Sequence, residues 1–381
     1  MFTRSSLALY LAGIVVFCDL YLSQPLLPLF GRTFGITPAT AGLSVSVVTL
    51  MIALTSSVYG PLSDRLGRKR VMVSALAALA VPTALGAFAP SYPLLLVARA
   101  AQGALVAGVT GVAVAHIGDT LPPGRIGQAV GLWIASNVIG GLVGRVASGW
   151  IADLLDWRAS FLAFAALTAV AALALRQWLI ADAPHPGPLA RSARADMAMH
   201  LRDPRLRSAS VIGAALFFAF IGTFTYLPYL LTAPPYSLPT ALVGSAYVTY
   251  IAGVFTSPLA GRLSARVHRL DLSAAGLLIA ALGLALTLLP SLAAILCGLL
   301  TLCVGNFLSQ AVMPAHVNAT AARAKGAASA LYGSFYYGGA VLGAFLPGLA
   351  LSAWGWPGVV GACVLGLLLA LIVNRAARRI A

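Results

Sequence analysis

The stretch Gly60-Pro-Leu-Ser-Asp-Arg-Leu-Gly-Arg-Lys-Arg70 separates two apolar runs, 42–60 and 71–89. Each run is about as long as a bilayer is thick, for which roughly 20 residues of helix suffice. Gly60 and Gly67 permit a tight helix-to-helix turn. The carboxylate of Asp64 can face a helix N-terminus, while Arg65, Arg68, Lys69 and Arg70 can form switchable ion pairs. Such a basic break between membrane-length runs sets the reading of the whole chain, because the same alternation recurs from end to end.

Of the 381 residues, 60% are hydrophobic and only 9% are charged, against about 25% charged in a typical soluble domain. No water-soluble surface can be built from that composition. Lipid offers unpaired backbone groups no partner, so the runs must be helices or closed barrels, and the alternating polarity of barrel strands is absent. The chain is therefore an all-α membrane protein, with spans expected near 7–30, 42–60, 71–89, 93–115, 127–150, 159–180, 207–232, 242–260, 272–289, 292–314, 327–350 and 357–374. Cys18, Cys297, Cys303 and Cys363 all fall in apolar spans without CxxC or Cys/His ligand spacing, so neither a disulfide nor a metal is expected. The opening Met1-Phe-Thr-Arg4 has no cleavage pattern after it, and its apolar run is expected to stay as the first span.

A net charge of +15 could suggest nucleic acid, but the basic residues sit in the short breaks, where they act as topology signals. With both termini cytoplasmic, nearly all of the 24 Lys and Arg lie inside; Arg32 and Arg158 lie outside, and Arg99 and Arg145 lie within spans. The long polar stretch 182–206, with Ala183-Pro-His-Pro-Gly-Pro188, Arg191 and Arg194, reads as a cytoplasmic linker between a first half, 1–181, and a second, 207–381.

The halves repeat one another. A shift of 199 residues brings Gly127, Leu132, Gly140, Gly144, Gly149 and Trp157 onto Gly326, Leu331, Gly339, Gly343, Gly348 and Trp356. A shift of 197 brings Pro61, Leu62, Arg65 and Leu66 onto Pro258, Leu259, Arg262 and Leu263. Two related six-helix halves are the parallel repeat of a secondary-transporter fold.

The quoted stretch resembles the signature loop of the major facilitator superfamily, G-x-L-a-D-r-x-G-r-k-x, at Gly60, Leu62, Asp64, Arg65, Gly67, Arg68 and Lys69. In that family the loop latches the halves together on the cytoplasmic side. The resemblance implies that Asp64 caps or pairs with the second half in the outward-facing state and that Arg68 bridges to Asp119. The second copy has Gly261 and Ala265 in place of Asp64 and Arg68, so only the first is expected to latch. Arg99-Ala-Ala-Gln102-Gly103 resembles the family's R-x-x-Q-G motif, associated with proton coupling. Gly140-Gly141-Leu-Val-Gly144-Arg145-Val-Ala-Ser-Gly149 resembles the glycine-rich motif of the drug:proton antiporter and arabinose-efflux-like permeases, with its proline missing and Arg145 intruding. The implied function is proton-coupled export of small organic molecules by alternating access in a bacterial inner membrane.

The residues point the same way independently. A charge in hydrocarbon is expensive and normally faces a cavity or a partner. Asp19, Arg99 and Arg145 are the ionisable residues of the Asp, Lys and Arg type deep in spans. At 1.5 Å per residue, Asp19 lies about 18 Å and Arg99 about 25 Å from the cytoplasmic ends of spans one and four. They are expected to meet, directly or through Gln102 or water, and to load and unload a proton on Asp19. Arg145 either snorkels to the headgroups or binds an anionic moiety. Tyr21, Gln24, Asn137, Tyr226, Tyr250, Asn306, Gln310, Tyr332 and Tyr336 are the further cavity candidates, suited to an amphipathic organic molecule. His116 and His316 read as interfacial. Pro25, Pro28, Pro228, Pro258 and Pro347 are candidate breaks or bends. Proton symport or uniport by the same fold is the alternative function; a channel or receptor fits the two-half repeat poorly. There is no HExxH, P-loop or G-x-S-x-G, so no enzyme is expected. No cofactor beyond protons is required, and a monomer with a small-molecule substrate in the lipid bilayer is expected.

Overall fold

The computed structural model describes residues 3–180 and 193–380; the segment Ala183–Pro188 with Arg191 lies outside the described residues. Among the described residues every regular element is a helix, and the membrane-length helices fall into twelve spans. Spans one to six are Arg4–Phe34, Pro38–Leu66, Arg68–Ala87, Tyr92–Thr120, Pro123–Leu154 and Trp157–Trp178. A short helix, Ala193–Arg202, follows within the expected linker. Spans seven to ten are Pro204–Thr232, Thr240–Leu263, Arg269–Leu286 and Leu292–Thr320. The stretch from Lys325 to Ile380 holds spans eleven and twelve, parted at Gly355, whose φ of 62° and ψ of −155° are not helical.

Local chemistry moves several of the expected boundaries. Span one is not a continuous helix: it stops at Tyr21, passes through a short 3₁₀ turn at Gln24–Leu26, and resumes at Leu27–Phe34. Pro25 and Pro28 have no N–H to return to the preceding turn, so the break lies where they stand. Span two runs past its expected end to Leu66 and takes Pro61 inside it. Most of the quoted stretch is therefore helix rather than turn. Gly67 alone, at φ 89°, makes the turn, and only glycine takes that conformation without strain. Span eight carries a 3₁₀ segment, Ala246–Ile251, between two α-helical pieces. Pro228 and Pro258 stay inside their helices, and Pro347 opens one.

The chain divides into two compact units. One is built from Met1–Ile36, Leu43–Pro188 and Leu231–Tyr247, the other from Thr37–Gly42, Leu189–Leu230 and Val248–Ala381. Lipid-length helices expose large apolar side chains such as Leu54, Val81, Phe88, Phe255 and Trp354. Lipid is as apolar as leucine, so helices associate by close packing of small residues.

The repeated glycines supply that packing in both units. A Cβ at Gly140 would run into the carbonyl of Ile14, and one at Gly144 into the backbone of Cys18, where span five meets span one. The counterparts behave alike: Gly339 lies on the carbonyl of Ala214 and Gly343 on that of Phe218, where span eleven meets span seven. Gly276 and Gly305 press spans nine and ten together, and Gly103 lets span four touch Val48 of span two. By contrast, Gly127 and Gly326 face open space.

Thermal unfolding in detergent separates these roles. Gly140→Ala and Gly339→Ala are each expected to cost about 1–3 kcal/mol, the usual penalty of overpacking. Gly127→Ala and Gly326→Ala are expected to stabilise slightly, by up to about 1 kcal/mol of helix propensity.

Candidate functional site

The break in span one creates a problem that span four solves. Where a helix stops, its last carbonyls have no intrahelical donor, and hydrocarbon supplies none. The guanidinium of Arg99 fills the gap: Nη1 donates to the carbonyl of Asp19 and Nη2 to that of Leu20, both at 2.8 Å. Nε donates to the carbonyl of Ser44 in span two at 3.1 Å, and Nη1 also donates to Oε1 of Gln102 at 2.7 Å. The cation also sits at the negative, C-terminal end of the helix Arg4–Tyr21, where the dipole favours it. Arg99 is completely buried, yet it joins spans one, two and four.

Asp19 is equally buried, and its carboxylate turns to the other side. Thr83 of span three reaches Oδ1 at 3.1 Å, and Thr168 of span six donates to Oδ2 at 2.6 Å. Gln102 donates to the Thr83 hydroxyl oxygen at 2.8 Å. Among the described residues no cation lies within ion-pair distance of the carboxylate. Of the expected routes, direct or through Gln102 or water, the side chains of Arg99 and Asp19 take the one through Gln102, extended by Thr83: Arg99 to Gln102 to Thr83 to Asp19.

The Thr83 hydroxyl has one proton and two acceptors in reach, Asp19 Oδ1 and the carbonyl of Leu79 at 2.8 Å. A hydroxyl donates once and accepts twice. With Asp19 ionised, Thr83 donates to the carboxylate. With Asp19 protonated, Thr83 donates to Leu79 and accepts from both Asp19 and Gln102. Both protonation states are satisfied without moving a heavy atom.

A second cluster in the same unit gathers Tyr21, Gln24 and Arg145. Arg145 is 1% exposed; its Nε donates to Gln24 Oε1 at 2.6 Å and Nη1 to the carbonyl of Gly141 at 2.5 Å. Its guanidinium carbon stands 3.8 Å from the ring centroid of Tyr21 and 5.3 Å from that of Tyr247, in cation–π range. Arg145 therefore stays inside the protein rather than snorkelling to the headgroups. Asn137 lies apart, its amide 3.2 Å from both the carbonyl and the indole nitrogen of Trp133.

At the basic end of this unit, Arg68 pairs with Asp64 at 3.3 Å and with Asp119 at the end of span four. Lys69 donates to the carbonyl of Leu179. Arg65 and Gly60 flank this knot: Arg65 is exposed, and among the described residues a Cβ at Gly60 would meet nothing within 4 Å.

In the other unit, Tyr226 donates to the carbonyl of Ala344 at 2.6 Å and fills the space over Gly42 and Gly348, so it packs helices together. Tyr250 sits in an aromatic nest with Phe224 at 4.5 Å and Phe220 at 5.0 Å between centroids. Tyr336 stacks on Phe217 at 3.9 Å and on Tyr332 at 6.0 Å. Asn306 donates to Gln310 at 3.2 Å, and its own carbonyl oxygen is buried without a partner among the described residues. His116 and His316 are both buried, each four residues before the end of its span, at Thr120 and Thr320.

Thr83, Thr168, Tyr247 and Phe217 join these clusters without having been singled out in the sequence. Their one signal was polarity or aromaticity inside an apolar run.

The capping role of Arg99 is open to measurement. Each carbonyl left unpaired by Arg99→Leu is expected to cost about 1–3 kcal/mol, so the thermal midpoint should fall well below that of Thr168→Val. Arg99→Lys should not restore it, because an ammonium is a point donor and cannot span several carbonyls as a fork does. Full recovery with lysine would mean that only the charge matters.

Known proteins share this architecture. The model of the Major Facilitator Superfamily matches residues 9–324. The MFS-type transporter YybF of Bacillus subtilis, itself uncharacterized, is 33% identical over 373 residues, covering 97% of this chain and 92% of its own. The inner membrane transport protein YnfM of Escherichia coli is 33% identical over 378 residues, covering 98% and 90%. Among solved structures, a bacterial homolog of the human lysosomal transporter Spinster superposes with a TM-score of 0.82 at 19% identity, covering 98% and 96%. The nucleoside transporter NupG, solved as a point mutant, gives 0.78 at 14% identity, covering 98% and 99%. With a matched family model over most of its length, two near-full-length relatives and the same helical fold, the chain belongs to the Major Facilitator Superfamily and is a multi-pass membrane transporter.

Proposed function

We propose that the chain is a proton-coupled secondary active transporter that exports small organic molecules by alternating access. It works as a monomer in a bacterial inner membrane with both termini cytoplasmic. The observation that supports this reading is the Asp19 network: a buried carboxyl whose hydrogen-bond partners accept either protonation state. A buried charge is expensive in a membrane protein. When Asp19 loses its proton, the nearest guanidinium is one Gln102–Thr83 bridge away. Shortening that bridge is the movement the new charge favours, and it links protonation to the packing of spans one, three and four. Thr168 holds the carboxyl toward span six while this happens.

The cavity candidates favour an amphipathic organic substrate, with aromatic faces from Tyr250, Tyr332 and Tyr336, amides from Asn306 and Gln310, and the buried cation Arg145 with Tyr21 and Gln24. The knot of Asp64, Arg68 and Asp119 serves as the cytoplasmic latch, with Gly60, Arg65 and Gly67 shaping it. Its exposed ion pairs are individually weak, which suits a contact that must open in every cycle.

Purified protein in vesicles, tested on a compound panel with an imposed pH gradient, checks the reading. An antiporter should accumulate substrate inside vesicles with an acidic interior. Accumulation driven by an acidic exterior would instead assign symport. Asp19→Asn is expected to reduce gradient-driven uptake to the level of empty vesicles while leaving substrate exchange without a gradient measurable. Unchanged gradient-driven transport in that variant would remove Asp19 from the coupling.

A further inference from the structure

A groove with a cavity of about 660 Å³ opens between spans three and six at their basic ends. Its walls are apolar and small: Val73, Ala77, Ala169 and Leu173. Ala77, Ala169 and Leu173 are exposed, so the groove opens on the face presented to lipid. Its rim is cationic, with Lys69, Arg70 and Arg176, and no carboxylate lines it.

The second unit contains the internal control. Its corresponding helices are spans nine and twelve. There the third residue of span nine is Asp271, and Arg378 donates to its two carboxylate oxygens at 3.0 and 3.3 Å. The third residue of span three is instead Arg70. The second unit neutralises its cation from within, whereas the first sets a cation where the carboxylate would stand. Among the described residues neither Arg70 nor Arg176 makes an ion pair or a side-chain hydrogen bond, and the nearby Asp64 and Asp119 are both engaged by Arg68. Topology signals explain basic loops, but not an apolar trough leading away from them into the bilayer. A cationic rim above an apolar groove is complementary to one common molecule, a lipid with an anionic head.

We propose that this groove binds an anionic phospholipid. Its phosphate lies among Arg70, Arg176 and Lys69, and an acyl chain runs along Val73, Ala77, Ala169 and Leu173. The lipid supplies the counter-charge that Asp271 supplies in the second unit, and it ties the end of span three to span six. This site is separate from the Asp19 network and does not depend on what the protein transports.

The test uses the full chain, purified in detergent and equilibrated with phosphatidylglycerol or with phosphatidylcholine of the same acyl chains. Bound lipid is counted by native mass spectrometry and stability followed by the thermal midpoint. Wild-type protein should retain phosphatidylglycerol in preference to phosphatidylcholine and melt higher with it. Arg70→Gln with Arg176→Gln should abolish that preference. Arg70→Asp, which copies the arrangement of the second unit and so should fold, should lose it as well. Equal retention of the two lipids by wild type, or an unchanged preference in the folded Arg70→Asp variant, would overturn the proposal. So would full displacement of phosphatidylglycerol by millimolar inorganic phosphate, which would assign the rim to a free anion.

Discussion

One guanidinium holds the first unit together. A transmembrane helix interrupted at mid-span carries carbonyls that neither lipid nor its own turns can satisfy. Arg99 satisfies two of them, takes a third from span two, and anchors Gln102 in the same gesture. Remove that fork and the break that Pro25 and Pro28 set in span one leaves those carbonyls unpaired. The position of Asp19 follows directly, since its carbonyl is one of the two that Arg99 receives while its carboxylate points the other way. The buried charge is therefore tolerated because it answers a backbone need, and the acid beside it is placed as a by-product of that answer.

The two units solve the packing problem twice with the same residues. Spans five and one, and spans eleven and seven, approach so closely at Gly140 and Gly339 that no side chain fits. Identical glycine contacts in both copies mean that the repeat is a repeat of interfaces, not only of helices. Chemistry was added to one copy alone: Asp19, Arg99 and Arg145 have no ionic counterparts deep in the spans of the second. There aromatic rings and the Asn306–Gln310 amides occupy the interior instead. The shared glycines carry the architecture, and each unit spends its remaining interior positions differently.

The fold was legible because its signals are long and additive: apolar runs of bilayer length, basic breaks, and a shift of 199 residues that superposes glycines and a tryptophan. The site was legible in part. A buried Asp or Arg stands out in an apolar run because its cost demands a partner. Thr83 and Thr168 did not stand out, because most threonines in such helices simply bond the carbonyl four residues back, as Thr49 and Thr223 do. Which of the expected routes joins Asp19 to Arg99, direct or through Gln102 or water, was not legible for a related reason. Depth along two helices says how far in each residue lies, but not that the guanidinium would be claimed first by backbone carbonyls. Likewise the run from Gly60 to Leu66 looked like a turn by composition, yet a single glycine at position 67 was enough to reverse the chain.

The fork on Arg99 also bears on how the protein is assembled. Spans one and two leave the ribosome before span four does, so the carbonyls of Asp19, Leu20 and Ser44 are already in the bilayer when the arginine arrives. An arginine at the centre of a lone helix costs about 2.5–3.5 kcal/mol on insertion scales. Here earlier segments have prepared a docking point that offsets it. The chain's order of synthesis and its most awkward side chain are matched, and a rearrangement that placed span four first would meet the membrane with its charge unattended.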